Sequence, residues 1–139
     1  MSTLKLYDEV IKTHSKTPYH FQKPEMISTL TSNSPVCGDK FDFYLLIDNE
    51  VIKSIHFHGF GCAVSKATSS VMVQILEGKT KQQARSVCNQ FVRLLKNGVT
   101  ENEVLFNEEF NSFKVVREIP ERFDCAALPW IEMEKYLAR

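Results

Sequence analysis

The sequence lacks several features that would place it in a familiar class at once. It has no run of about 18 apolar residues that could span a bilayer, and residues 1–9 contain no apolar segment typical of a signal peptide. Its formal net charge is zero, from 17 basic and 17 acidic residues, so no overall charge favours nucleic acid or an anionic membrane. We therefore expect a cytoplasmic protein that binds neither nucleic acid nor membrane.

Signatures of catalysis or metal binding with a fixed local spacing are also absent. There is no Ser/His/Asp order, no phosphate-cradling glycine loop and no dinucleotide fingerprint. The lack of any Cys-x-x-Cys pair excludes a zinc-finger module. Four cysteines do occur, and in a reducing compartment they are more often thiols or metal ligands than a disulfide framework. A functional site built from them would have to combine residues that are distant in sequence.

The chain length and composition predict one globular domain over residues 1–139, with 43% hydrophobic and 24% charged residues. Two aromatic and β-branched runs, 41–47 and 51–57, are separated by a short polar turn and predict an antiparallel hairpin. Apolar residues at helical spacing predict four helices. These are residues 4–13, 63–77, 81–95 and 125–136.

The remaining segments are predicted to be less regular. Residues 14–36 are polar and contain three prolines, which indicates an irregular connector. Residues 101–110 predict a short helical insertion, and residues 113–116 predict either a third strand or an extended lead into the next segment. Pro129 is expected only in the first turn of the last helix. The predicted fold class is α+β, a small antiparallel sheet with helices packed on one face.

Three cysteines and one aspartate are the candidate site residues. Cys37 and Asp39 flank a glycine, so sulfur and oxygen could reach the same ion, although Gly-Asp is also an ordinary turn dipeptide. Cys62 and Cys125 each stand at a predicted helix start, where the helix dipole favours negative charge. A small apolar capping role is the alternative for Cys62. Together the four side chains could form a tetrahedral site for a thiophilic metal.

Two other groups of metal-binding residue types are assigned ordinary roles. Cys88 falls in the middle of a predicted helix on its apolar side and is assigned to the core. His56 and His58 alternate along the second predicted strand and therefore share a face. They could bind metal, but the favoured interpretation is that they are polar side chains on the exposed face of a half-exposed strand.

Three motifs in the same order resemble the SufU/IscU/NifU iron–sulfur scaffold family. Residues 33–39 resemble its Asn-Pro-x-Cys-Gly-Asp motif, with one extra residue between the asparagine and the proline. Residues 59–70 resemble its Gly-x-Gly-Cys-x-x-Ser-x-Ala-Ser-x-Ser segment. Residues 122–130 are similar to the Arg-x-x-Cys-Ala-x-Leu-x-Trp segment of SufU-type members. The resemblance covers most of the chain and implies a SufE/NifU-like fold.

Within that family the sequence is most similar to the SufU branch. Residues 97–113 correspond to the insertion of SufU-type proteins. Residues 119–122, Ile-Pro-Glu-Arg, stand where IscU carries its Leu-Pro-Pro-Val-Lys chaperone-recognition segment, and the histidine that IscU places before its third cysteine is missing. The resemblance therefore implies independence from the dedicated chaperone pair that serves IscU.

The resemblance implies a zinc site formed by Cys37, Asp39, Cys62 and Cys125. It also implies that Cys37 is the catalytic sulfur acceptor, released from zinc when a pyridoxal-phosphate-dependent cysteine desulfurase docks. Sulfur would pass on to downstream cluster-assembly or acceptor proteins. The expected protein is a sulfurtransferase-like accessory, a monomer or weak homodimer, and not a stand-alone enzyme. The alternatives are a scaffold for a transient [2Fe–2S] cluster on the same ligands and a structural zinc domain.

Asp124 departs from the family pattern, because SufU-type relatives usually carry a basic residue there. Three thiolates and Asp39 already leave net negative charge around a divalent metal, and a further carboxylate would add to it. Three interpretations follow: Asp124 turns to solvent, it competes as a ligand, or Arg122 or Lys66 offsets its charge.

Overall fold

The computed structural model describes residues 9–35, 38–98 and 102–139. Its four α-helices and three strands follow in the order α1, β1, β2, β3, α2, α3 and α4. The strands are β1 Leu30–Ser34, β2 Asp39–Asp48 and β3 Val51–Phe60, and the helices are α1 Glu9–Lys16, α2 Ala63–Leu76, α3 Lys81–Asn97 and α4 Phe123–Leu137. The start of the first predicted helix lies outside the described residues, and α1 continues three residues beyond its predicted end at Thr13.

The three strands form one antiparallel sheet in the order β1-β2-β3. The predicted hairpin is confirmed, with each strand longer than predicted. Asn49 and Glu50 connect the strands, and both have positive φ, 57° and 66°. This is the backbone form of a tight hairpin turn whose twist matches that of the sheet.

The irregular connector predicted for residues 14–36 is wrong at both ends. α1 extends through Lys16, and β1 occupies Leu30–Ser34 and pairs with β2. The strand escaped prediction because its two buried side chains are Ser32 and Ser34, so it shows no alternation of apolar and polar residues. Its pairing places Ser34 opposite Asp39, at the edge where the candidate ligands begin.

The third strand or extended lead predicted at residues 113–116 is also wrong, as is the short helix predicted over 101–110. A 3-10 helix spans Glu108–Glu118, and a second one spans Pro120–Arg122. Phe110, Phe113 and Val116 are fully buried and recur every third residue, which is the 3-10 repeat. Residues 102–107 contain no helix, and residues 99–101 lie outside the described ranges.

Helices α2, α3 and α4 are confirmed with small shifts of their ends. Thr80 and Gln83 form a reciprocal capping box at the start of α3. α4 begins two residues before its predicted start. Pro129 therefore lies inside the helix, contrary to prediction, and it has no N–H to donate to the carbonyl of Cys125 one turn earlier.

The core lies between one face of the sheet and the helices. Cross-strand pairs of apolar side chains cover this face, including Phe43 opposite Phe57 and Leu45 opposite Ile55. On the helical side, the buried Trp130 stacks on Phe91. No helix within the described ranges combines the length and the apolar character needed to cross a bilayer.

Candidate metal centre

Three of the four predicted ligands lie together. Asp39 is the first residue of β2, Cys62 is the N-cap of α2, and Cys125 lies in the first turn of α4. One carboxylate oxygen and the two sulfurs lie within 4.8 Å of one another. Cys37 lies outside the described residues, so its participation stays a prediction.

The Asp39 carboxylate is buried, with only 3% of the residue exposed, and its two oxygens differ. Oδ1 accepts a hydrogen bond from the backbone N–H of Cys62 at 3.1 Å. Oδ2 is buried and has no hydrogen-bond partner among the described residues. An unpaired buried carboxylate oxygen is costly, and a cation at this point would offset that cost. The arrangement therefore fits a metal ion held by Asp39.

Cys62 is fixed by the start of α2. Its Sγ accepts from the backbone N–H of Ser65 at 3.5 Å, and the Ser65 hydroxyl donates back to the Cys62 carbonyl at 3.0 Å. The sulfur thus takes the place of a capping oxygen at the positive end of the helix, where negative charge is stabilised. This confirms that Cys62 stands at a helix start.

Gly61 gives the centre its close packing. A Cβ at this position would lie 2.4 Å from the Ser65 Oγ, 2.7 Å from Asp39 Oδ1 and 2.8 Å from the Phe41 ring. Any side chain would therefore displace at least one of these three groups, all of which lie beside the ligands. The second glycine of the Gly-x-Gly-Cys motif is required so that the strand end can pass this close to the ligand oxygen.

Cys125 completes the described part of the centre from α4. It is 1% exposed, and its sulfur is in a disulfide in the structure, so metal loading calls for reduced protein. Two thiolates with one carboxylate suit zinc or an iron–sulfur cluster, whereas magnesium and calcium prefer oxygen ligands throughout. A fourth donor, proposed to be Cys37, would complete a tetrahedron.

Asp124 does not belong to the group of three ligand side chains. It lies half-buried in the first turn of α4, where the helix dipole stabilises an acidic group. Lys66 places its Nζ 5.1 Å from the centre of the Phe21 ring, and Arg122 immediately precedes α4. Lys66 forms no ion pair with Asp124 among the described residues. The influence of these three residues on the centre stays a prediction.

Cys88 and the strand histidines lie apart from the centre. Cys88 is fully buried in α3, and burial, with a smaller contribution from the nearby Glu134, raises the pKa of its thiol far above its usual range. This confirms its assignment to the core. His56 stacks on His20 and His58 lies against Phe21, with ring centroids 4.7 and 4.8 Å apart. Both histidine side chains lie on the outer face of β3, away from the core.

Replacing Cys88 with alanine should therefore affect stability and leave metal binding unchanged. The loss of one buried sulfur resembles the removal of a methyl group from a core and should cost about 1 kcal/mol. Urea unfolding of the reduced, metal-free protein measures the cost, and zinc titration measures the binding. Cys62→Ala is the matched control that should lose metal. A lower zinc stoichiometry in Cys88→Ala would contradict the assignment.

Sequence analysis missed Thr68 and Ser34, two buried hydroxyl residues near the ligands. Thr68 bonds to the backbone next to Cys125, and Ser34 pairs with Asp39 across the sheet. A signal for Thr68 was present, because α2 carries hydroxyl residues where an apolar face would be expected. These are Ser65, Thr68, Ser69 and Ser70, all of them buried. Buried hydroxyls in a helix usually have hydrogen-bond partners, and the partner of Thr68 is the backbone beside Cys125.

The fold and the centre define a class of protein: a small α+β domain that holds a thiolate–carboxylate site between the start of a strand and the starts of two helices. The family model described as "NifU-like N terminal domain" matches residues 6–104, and the chain belongs to this family. The resemblance predicted from the three motifs is confirmed.

Relatives of similar length carry the names of iron–sulfur cluster assembly proteins. The "Iron-sulfur cluster assembly scaffold protein IscU" of Streptococcus pyogenes serotype M1 is 28% identical over 96% of this chain and 84% of its own. The "Zinc-dependent sulfurtransferase SufU" of Bacillus subtilis is also 28% identical, over 96% of this chain and 90% of its own. This chain is thus a member of the iron–sulfur cluster assembly family that includes IscU and SufU.

Solved structures confirm the predicted α+β fold. A SufU described as a putative scaffold protein for the SUF system, from Fervidobacterium islandicum, superposes with a TM-score of 0.83 at 30% identity, covering 95% of this chain and 96% of that one. The N-terminal part of a NifU-like protein from Brucella abortus gives 0.82 at 21% identity, covering 99% and 96%. The second likeness concerns the fold alone.

Proposed function

We propose that this protein is a zinc-dependent sulfur-transfer protein of iron–sulfur cluster assembly. In this role it accepts sulfur from a pyridoxal-phosphate-dependent cysteine desulfurase. The observation that carries the proposal is the buried carboxylate of Asp39, whose Oδ2 has no hydrogen-bond partner among the described residues. One oxygen of this carboxylate and the sulfurs of Cys62 and Cys125 lie within 4.8 Å of one another. Likeness to a relative named a zinc-dependent sulfurtransferase, over nearly the whole chain, supports zinc as the metal.

The ligand set fits zinc by its chemistry. Asp39, Cys62 and Cys125 supply three donors, and Cys37 is proposed as the fourth. Bound zinc would keep the coordinated thiols deprotonated and protect them from oxidation. A carboxylate is a harder and more readily exchanged zinc ligand than a thiolate. The mixed set therefore suits a site whose coordination changes during function better than a closed structural site.

Cys37 is the proposed sulfur acceptor. Its thiolate would attack the outer sulfur of the persulfide on the desulfurase cysteine. A new S–S bond then forms on Cys37 while the S–S bond of the donor breaks, and the desulfurase cysteine leaves as a thiolate, with no further oxidant or reductant. Gly38, next in sequence, is exposed and has nothing within 4 Å of where a side chain would begin. A docking partner would meet open space at that point.

The test uses reduced, zinc-loaded protein with a cysteine desulfurase and cysteine. We expect faster alanine release with the wild type, together with a mass increase of one sulfur atom on this chain. Cys37→Ser should remove both effects, whereas Cys88→Ser should retain them because Cys88 is a core residue. Stimulation that is unchanged in Cys37→Ser would rule out the assignment of Cys37 as acceptor.

The second candidate function is a scaffold for a transient [2Fe–2S] cluster. Two cysteine sulfurs in one cluster of ligands favour it, because thiolates bind iron–sulfur clusters as well as zinc. Anaerobic reconstitution with iron and sulfide, followed by visible absorption and metal analysis, separates the two functions. Stoichiometric zinc that iron and sulfide fail to displace would favour sulfur transfer. A stable cluster spectrum with loss of zinc would favour the scaffold.

The partners and the location belong to the same proposal. The desulfurase is the sulfur donor, later cluster-assembly or acceptor proteins receive the sulfur, and the reaction takes place in the cytoplasm. Pull-down of a desulfurase from the native host by the wild type, and its weakening by Cys37→Ser, would support the first of these partners.

A further inference from the structure

One buried hydroxyl connects the two helices that carry the candidate ligands Cys62 and Cys125. Thr68 lies on α2 and is fully buried. Its Oγ1 donates to the backbone carbonyl of Ala126 at 2.9 Å and accepts from the Trp130 indole N–H at 2.7 Å. Ala126 is the residue after Cys125. The hydroxyl therefore holds the turn of α4 that carries the second sulfur.

This turn of α4 depends on a contact from another helix. Pro129 has no N–H, so it cannot make the helical hydrogen bond to the Cys125 carbonyl, and a proline ring inside a helix also crowds the carbonyl four residues before it. The first turn of α4 is therefore coupled less firmly to the rest of its own helix. The hydrogen bond from Thr68 to the next carbonyl, that of Ala126, connects this turn to α2 instead.

Trp130 fixes the direction of the Thr68 hydroxyl. The indole is fully buried, stacks on Phe91 with ring centroids 4.1 Å apart, and meets the edge of Phe110 at 5.5 Å. Its N–H occupies one acceptor position of Oγ1, which leaves the hydroxyl proton for Ala126. A buried polar network in which every member has a partner holds one geometry.

We propose that Thr68 is a positioning residue that sets the separation of the Cys125 and Cys62 sulfurs and thereby the affinity of the centre for metal. The inference rests on the proposed zinc function. The Thr68 side chain bonds to backbone and indole, not to the ligand atoms, so it would act through the placement of Cys125. Outer residues that orient ligands in this way typically change metal affinity about 10–100-fold when they are removed.

The test compares two substitutions on the same helix. Thr68→Val keeps the shape of the side chain but removes both hydrogen bonds, while Thr68→Ser retains the hydroxyl. Ser70→Ala is the matched control. Ser70 is equally buried, and its hydroxyl bonds to the His14 ring at 2.6 Å and to the Tyr19 backbone N–H at 2.7 Å, neither of which lies on α4. Thr68→Val and Ser70→Ala thus each remove two hydrogen bonds of a fully buried hydroxyl.

The readouts are cobalt absorption spectra and zinc competition on reduced protein, with urea unfolding of the metal-free forms. We expect Thr68→Val to weaken zinc binding about 10–100-fold and to shift the cobalt ligand-field bands. Thr68→Ser and Ser70→Ala should bind like the wild type, even though Ser70→Ala is also less stable. Equal binding by Thr68→Val and the wild type, or an equal loss in Ser70→Ala, would overturn the inference.

Two further outcomes are distinguishable. A wild type that binds neither cobalt nor zinc would overturn the proposed function itself. If Thr68→Val fails to fold, Trp130→Phe replaces it, because this change keeps the hydroxyl and removes the donor that orients it. Trp130→Phe should then shift the cobalt bands in the same direction by a smaller amount, and an unchanged spectrum would overturn the inference.

Discussion

An alanine at position 59 is expected to destabilise the native fold strongly. Gly59 lies in β3 with φ at +149°, and a Cβ there would lie 2.1 Å from the Lys40 carbonyl oxygen and 2.9 Å from the Phe41 Cα. Both atoms belong to the backbone of the paired strand β2. Backbone strain of about 1–3 kcal/mol and overpacking of about 1–3 kcal/mol together reach the lower end of the roughly 5–15 kcal/mol stability of a typical domain.

Gly38→Ala is the matched control for this prediction. Gly38 also has positive φ, +73°, but a Cβ there would meet nothing within 4 Å. It should therefore cost only the left-handed backbone strain of about 1–2 kcal/mol and leave a folded protein. Circular dichroism and urea unfolding compare the two variants. If Gly59→Ala unfolds at the same urea concentration as Gly38→Ala, the clash with β2 does not decide the need for glycine.

The hairpin and two of the ligands could be predicted together because the relevant signals are local. Aromatic and β-branched runs defined β2 and β3, and the short turn left little choice of pairing. In the observed register Lys40 lies opposite Phe60, so the start of β2 comes next to the segment that leads to Cys62. Asp39 and Cys62 are therefore neighbours as a consequence of the hairpin.

Other parts of the fold could not be predicted because their signals are weak or depend on packing between distant segments. β1 buries serines instead of apolar side chains, so its alternation is invisible in a hydrophobic pattern. The 3-10 segment has an apolar residue every third position, which resembles both a poor helix and an irregular strand. Pro129 argued for a later helix start, yet tertiary packing keeps it inside α4.

The place of Cys125 shows where the family resemblance added information that periodicity lacked. Its approach to Asp39 and Cys62 depends on how α4 packs against α2. That packing includes the buried bond between Thr68 and Ala126. A pattern of apolar residues predicts that a helix packs but not which turn faces which neighbour. The motif around Cys125 supplied that assignment, and the structure supports it by bringing the three side chains together.

Asp39→Asn should lower the stability of the zinc-loaded protein without lowering that of the metal-free protein. The amide oxygen can still accept the Cys62 N–H that Oδ1 now accepts, so the turn before α2 should stay in place. In metal-free protein the change removes a buried carboxylate whose Oδ2 has no partner, and stability should be equal to that of the wild type or higher. With zinc it removes a charged ligand. The affinity should then fall by at least the roughly 10–100-fold that loss of an outer residue costs.

This difference between the zinc-loaded and metal-free proteins separates a ligand from a residue that only supports the fold. Zinc at 100 times its dissociation constant stabilises a folded protein by about 2.7 kcal/mol, and a 100-fold weaker site would gain only about 0.4 kcal/mol at the same concentration. Urea unfolding of both reduced proteins, with and without zinc, measures the four stabilities. Asp42→Asn, on the same strand, is the matched control, since its carboxylate bonds to the Thr31 hydroxyl on the outer face. If Asp39→Asn destabilises the metal-free protein and keeps the full stabilisation by zinc, Asp39 holds the turn and is not a ligand. Replacing a ligand would instead reduce the stabilisation by zinc and leave the metal-free protein as stable as before.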